Sequence, residues 1–80
     1  MSPAVQRHIR EELDSLPEIE RVEQIYTSVI GMADVLVAAR VKFIDTASTD
    51  AITAAADEAE RRLSRRYPTI RYVFLDPTNI

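Results

Sequence analysis

The chain has 80 residues, no cysteine, one glycine and one histidine, and its 13 acidic and 10 basic side chains leave a formal charge of −3. A single domain of this size buries only about 60% of the surface its unfolded chain exposes, and without cysteine neither a disulfide nor a thiolate metal site can supplement so thin a core. The acidic balance removes any general electrostatic reason to expect nucleic acid or anionic lipid as a partner, and no apolar run approaches the roughly 20 residues of a membrane span.

The start lacks the basic region and apolar stretch of a signal peptide. The expectation is one soluble domain over residues 1–80, with no repeat, linker or low-complexity tract and no insertion of this chain into a membrane. Nine of the ten basic residues are Arg and ten residues are Ala, a usage that points to a GC-rich bacterial genome.

Ser2 followed by Pro3 is a helix start, a hydroxyl cap with proline at the first helical position, where its missing N–H costs nothing. Val5, Ile9, Leu13 and Leu16 then recur at helical spacing, predicting an amphipathic helix that ends near Pro17. From Val22 to Ile30 the sequence VEQIYTSVI is rich in β-branched and aromatic residues, and GMAD at 31–34 breaks it. A strand entering a hairpin is predicted. In VLVAARVKF, residues 35–43, Val35, Val37, Ala39, Val41 and Phe43 share one face and are expected to point to the core.

DTASTD, residues 45–50, suits a turn and a helix cap, and Asp50 suits the positive end of a helix dipole. A second helix is predicted from Ser48 or Thr49 to Pro68, with Ile52, Ala56, Ala59, Leu63 and Tyr67 on its apolar face. Arg61, Arg62, Arg65 and Arg66 crowd its last turns, where cations complement the dipole. TIRYVFL, residues 69–75, then alternates Ile70, Tyr72 and Phe74 with Arg71, Val73 and Leu75, as a third strand does.

The order helix, strand, strand, helix, strand predicts an α+β domain. Strands one and two form an antiparallel hairpin, and strands two and three lie parallel across a right-handed helical crossover. Two helices cover only one face of a three-stranded sheet. The other face, carrying Leu36, Ala38 and members of the set Tyr26, Ile30, Val73 and Leu75, is apolar enough to invite a partner, and a homodimer is expected.

Chemistry is scarce. His8 lies on the first helix beside Ile9, a place that suits a packed or solvated helix histidine better than a member of a catalytic triad. A single glycine cannot build a phosphate-cradling loop, which argues against nucleotide cofactors. Arg71, Tyr72 and Phe74 resemble a stacking platform for RNA bases, but sharing a face with Ile70 and an acidic net charge favour core packing for the two rings. RRLSRR at 61–66 reads as a solvated helix end interspersed with Asp57, Glu58 and Glu60, and Glu11, Glu12 and Asp14 read as an exposed helix face.

Residues 33–77, ADVLVAARVKFIDTASTDAITAAADEAERRLSRRYPTIRYVFLDP, resemble the C-terminal cytoplasmic domain of cation diffusion facilitator transporters, exporters of Zn²⁺ and related divalent cations. The shared features are the strand DVLVAARVKF, the acidic break at Asp45, the helix with DEAERRL, the RRYP helix end and the closing strand with Asp76 and Pro77. LPEIERVEQIY, residues 16–26, is similar to the family's opening segment. The resemblance implies the αββαβ metallochaperone-like (ferredoxin-like) fold, a three-stranded mixed sheet with two helices on one face. It also implies a homodimer on the cytoplasmic face of the membrane, attached to the membrane domain of a parent transporter that is absent from this chain.

The resemblance further implies metal ligands near the start of strand one, on strand two and at the end of strand three. Here those positions hold Glu23, Arg40, Phe74 and Asp76. Arg40 repels a cation and Phe74 offers no lone pair, so the metal candidates are Asp76 and Glu23, with His8 as a further donor, and the site for Zn²⁺ or another divalent cation is expected to be degenerate or weak. Asp76 has a preferred structural alternative, accepting backbone hydrogen bonds at the strand end while Pro77 stops further pairing. The expected function is a dimerising and regulatory domain of a divalent-cation efflux transporter and not an enzyme. The alternative is a free-standing ferredoxin-like module that binds a ligand or partner on its open sheet face.

Overall fold

Ser2 begins the first helix as its sequence suggests, its hydroxyl accepting from the Val5 N–H at 3.3 Å with Pro3 at the first helical position. The computed structural model describes residues 2–78, so Asn79 and Ile80 of the RYVFLDPTNI ending lie outside the described residues. Five elements follow one another: α1 (Pro3–Asp14), β1 (Ile19–Ile30), β2 (Asp34–Phe43), α2 (Thr49–Arg66) and β3 (Ile70–Pro77). This is the predicted αββαβ ferredoxin-like order.

The sheet runs β1-β2-β3, with β1 and β2 antiparallel and β2 and β3 parallel. α1 packs on β1 and α2 on β3, so both helices cover one face. Helix α1 stops at Asp14, three residues before Pro17, because Ser15 terminates it: the Ser15 N–H donates to the Glu11 carbonyl at 3.0 Å and its hydroxyl to the Glu12 carbonyl at 2.7 Å. That leaves room for β1 to begin at Ile19, earlier than the expected Val22. Ser48 caps α2 by accepting from the Ala51 N–H at 3.1 Å, and Asp50 stands in its first turn.

The core lies between the helices and the sheet. Ile9, Leu13, Val37, Val41, Phe43, Leu63 and Ile70 are fully buried, and each such side chain contributes on the order of 1.5–3 kcal/mol through its removal from water. Helix α2 turns Ala55 and Ala59 against the sheet, leaving Ile52, Ala56 and Tyr67 half-buried. The inner face is therefore rotated slightly from the predicted stripe, with the smallest side chains at the closest approach. Among the described residues no buried side-chain nitrogen or oxygen lacks a hydrogen-bond partner.

Strand β3 departs from simple alternation. Val35 pairs with Ile70 and Leu36 with Tyr72, so Arg71 is an extra residue that shifts the register. Beyond it the faces exchange: Val73 is buried beneath the helices, Leu75 packs against the core, and Tyr72 and Phe74 point to the uncovered face. The expectation that Tyr72 and Phe74 are core residues beside Ile70, and that Val73 and Leu75 line the open face, is thus corrected by one bulge. Pro77 does not end the pairing either, because it sits opposite Val41 and Thr78 follows with its N–H 2.9 Å and its hydroxyl 3.2 Å from the Val41 carbonyl oxygen.

Candidate functional site

The open face of the sheet is organised in rows across the three strands. Ser28, Leu36 and Tyr72 make one row, Tyr26, Ala38 and Phe74 the next, and Gln24, Arg40 and Asp76 the third. The first two rows are mainly apolar and carry three rings in water: Tyr26, Tyr72 and Phe74 are each about half exposed. Tyr72 and Phe74 stack almost parallel, with centroids 6.5 Å apart and planes 5° from each other, as successive outward residues of one strand do.

The third row is polar. Arg40, on the central strand, directs Nε and Nη2 to the same oxygen of Asp76, each at 3.4 Å. Glu23 belongs to β1, where Val22 faces Val41 and Gln24 faces Arg40; Glu23 is therefore the extra residue of a second bulge. Its carboxylate accepts from Arg21 Nε at 2.7 Å. Glu23, Arg40 and Asp76 together with Pro77 and Thr78 line a cleft of about 390 Å³ at this end of the sheet. The two predicted ligands are thus brought to one cleft, and a guanidinium is brought there with them.

This donor set does not suit a divalent cation. Zinc takes three or four nitrogen, sulfur or oxygen donors, whereas the cleft offers two carboxylates, each already paired with an arginine. Among the described residues no three His, Cys, Asp or Glu side chains gather as a metal group. The third candidate donor, His8, lies in the helical layer, where Nδ1 is 2.5 Å from the Tyr67 hydroxyl. Arg66 stacks over the Tyr67 ring at 5.7 Å and reaches Glu12 at 3.7 Å, so His8 belongs to the junction of α1 and α2.

Three of the four arginines of α2, Arg61, Arg62 and Arg66, are engaged with nearby acids. Arg61 and Arg62 both bond Glu58, the latter at 2.7 Å, and Arg62 also donates to the Ser15 hydroxyl at 3.2 Å. Hydrogen bonds from Arg62 and then Arg61 hold the Glu58 carboxyl below its usual value of 4.5. Lys42 reaches Glu20 at 3.0 Å. The sequence reading missed the exposure of Tyr72 and Phe74; the signal for it is Arg71, a charged residue set between apolar ones where a bulge is accommodated.

Fold and site together define a ferredoxin-like αββαβ domain with an aromatic open face and a charge-paired cleft at one end. No family model matches the sequence, and no curated protein matches it. Solved structures do match. An aspartate-to-asparagine variant of the MamM C-terminal domain in a nickel form superposes with a TM-score of 0.80 at 13% identity, covering 99% of each chain. The copper form of the MamM C-terminal domain also gives 0.80 at 13% identity, over 98% of this chain and 75% of the other. A histidine-to-glutamate variant in a zinc form gives 0.77 at 13% identity, over 96% and 84%. At this identity the likeness is one of fold.

Proposed function

We propose that this chain is the cytoplasmic regulatory and dimerising domain of a divalent-cation efflux transporter of the cation diffusion facilitator type, with no catalysis of its own. The observation that carries the reading is coextension: a fold built from the same elements matches a MamM C-terminal domain over 99% of both chains. Those structures hold nickel, copper and zinc forms of a C-terminal domain, which supports a place beside divalent-cation chemistry. No helix among the described residues is long and apolar enough to cross a membrane. In the proposed reading, transport is the work of a membrane domain of the parent protein.

In this reading the domain holds two protomers together, and its response to Zn²⁺ is weak because Arg40 occupies the region between Glu23 and Asp76. Titration calorimetry of the chain with Zn²⁺, Ni²⁺ and Mn²⁺ tests the second part. The expected result is no stoichiometric binding at sub-micromolar concentration, and tight saturable binding overturns it. The upstream coding sequence tests the first part: an in-frame series of hydrophobic segments supports the transporter domain, and a free-standing gene overturns it. The exposed Tyr26, Tyr72 and Phe74 favour one rival, a free-standing module that takes a ligand on its open face, and the same gene reading separates the two.

A further inference from the structure

The formal charge of −3 is spread unevenly over the fold. β1, with 12 residues at about 3.3 Å each, runs the length of a molecule 39 Å long, so the strands define its two ends. Glu18, Glu20, Asp45 and Asp50 gather at one end, where the Ile44 N–H donates to the Glu18 carbonyl at 2.9 Å and Ser48 caps α2. Lys42, beside them, is paired with Glu20.

The opposite end is built from the turn after Ile30, the last turn of α2 and the start of β3. Ile30 pairs with Asp34, Val35 pairs with Ile70, and the Val35 N–H donates to the Thr69 carbonyl at 2.7 Å. The Ser64 hydroxyl donates to the Ile70 carbonyl at 2.8 Å, which ties the end of α2 to the same place. Arg65, Arg66 and Arg71 therefore stand at the end that carries the hairpin turn, with Asp34 as the carboxylate nearest in sequence to that turn. All three arginines are exposed. Arg66 reaches Glu12 at 3.7 Å, whereas among the described residues Arg65 and Arg71 have no acidic partner. The turn itself is apolar: from Gln24 to Ala33 the chain carries no charged side chain, Met32 is fully exposed and Val29 is 69% exposed.

We propose that this end of the domain is a peripheral membrane contact. The turn at 31–33 enters the headgroup layer of an anionic bilayer through Met32, and Arg65, Arg66 and Arg71 meet the lipid phosphates. The chain touches the bilayer and does not span it. This contact goes beyond the function proposed above and stands or falls without it.

A single exposed apolar side chain is ordinary on a protein surface. Here it tops an uncharged turn and shares its end with unpaired arginines. Affinity for a membrane surface is built from those two contributions, apolar area buried at the acyl boundary and attraction to anionic headgroups. Each arginine near an anionic leaflet strengthens binding about fivefold. The acids of the far end do not cancel the attraction, because the Debye length is about 8 Å at physiological ionic strength and the ends lie several such lengths apart. The net charge, which argued against an anionic lipid partner, thus describes the other end of the molecule. A nucleic acid would also attract the arginines but gives the apolar turn nothing to enter, whereas a bilayer uses both.

The chain has no tryptophan, so a single introduced one reports its own surroundings. Met32→Trp and, in the exposed turn of the far end, Thr46→Trp are mixed with vesicles of phosphatidylcholine alone or with about 40% phosphatidylglycerol, at about 0.1 M salt. Met32→Trp is expected to shift its emission to the blue with the anionic vesicles, and Thr46→Trp to stay unchanged. Tryptophan itself favours the interface, so affinity is read from co-sedimentation of the wild-type chain. The double variant Arg65→Gln/Arg71→Gln is expected to bind roughly 25-fold more weakly, and Met32→Asp several-fold more weakly, each with an unchanged circular dichroism spectrum. Absence of wild-type co-sedimentation at about 5 mM anionic lipid, or equal binding to neutral vesicles, overturns the contact. Met32→Asp binding as tightly as the wild type also overturns it, reducing this end to a plain anion-binding patch. The transporter-domain reading is judged separately, by the upstream coding sequence.

Discussion

Replacing Arg40 isolates the reason this cleft is hostile to a divalent cation. Its guanidinium lies within hydrogen-bonding reach of Asp76, and both side chains are more than half exposed. A divalent ion held by Glu23 and Asp76 would sit about 4 Å from a unit positive charge, a repulsion of about 2 kcal/mol at the dielectric of water and several times that in a drier site. Exposure favours the lower figure, so Arg40→Ala is expected to tighten Zn²⁺ binding roughly thirtyfold. Arg40→His removes the same charge and adds a nitrogen donor, and is expected to bind more tightly still. The fold should tolerate both changes, because an exposed pair of this kind contributes no more than about 1 kcal/mol. Calorimetry at low ionic strength, with urea titrations alongside, reads both effects. If Arg40→Ala binds Zn²⁺ no better than the wild type, charge exclusion at this cleft is wrong.

Leu63→Ala empties a fully buried position under the sheet and should cost about 2–5 kcal/mol, a large share of the roughly 4–12 kcal/mol expected for a domain of this length, read as a lower urea midpoint. Gly31 takes φ +62° at the hairpin, and an added Cβ would meet nothing within 4 Å, so Gly31→Ala tests conformation alone and should cost about 1–2 kcal/mol, with Gly31→Asn costing less. The Glu58 carboxyl is held below 4.5 by Arg62 and Arg61, so its contribution is present above that value and lost as pH falls through the lower folded-state value. Urea midpoints of Glu58→Gln should therefore fall less steeply than those of the wild type as the pH is lowered past 4.5.

Local chemistry made most of the fold legible. Ser2 with Pro3 and Ser48 with Asp50 announce the two helix starts, and the strict alternation of Val35, Val37, Ala39, Val41 and Phe43 identifies the inner face of the central strand, which the structure buries throughout. The boundaries were less legible where a side chain competes with a stronger signal. Pro17 suggested the end of α1, yet the Ser15 hydroxyl captures the Glu12 carbonyl first and β1 takes up the released residues. In α2 the helical period identified the apolar stripe, but the choice of Ala55 over Ile52 for the innermost position reflects how near the helix can come to the sheet, a property of packing that no single helix encodes.

The candidate site was partly legible because its residues carry their chemistry with them. Arg40 announces a positive charge wherever it lies, but Asp76 is 36 residues away, and only the parallel register of β2 and β3 makes the two a pair. The aromatic face was misread for a related reason. Alternation fixes which residues share a face only while the ladder is unbroken, and the extra residue Arg71 reverses every side chain after it. Glu23 occupies an equivalent extra position on β1, the second of two register shifts in that strand, so bulges on both flanking strands place charged residues outside regular pairing. Between them the regular part of the sheet presents Tyr26, Tyr72 and Phe74 to solvent. The structure thus separates two chemistries on one sheet face: an uncharged aromatic surface, and an ion-paired end in which Arg40 stands among the carboxylates a cation would need.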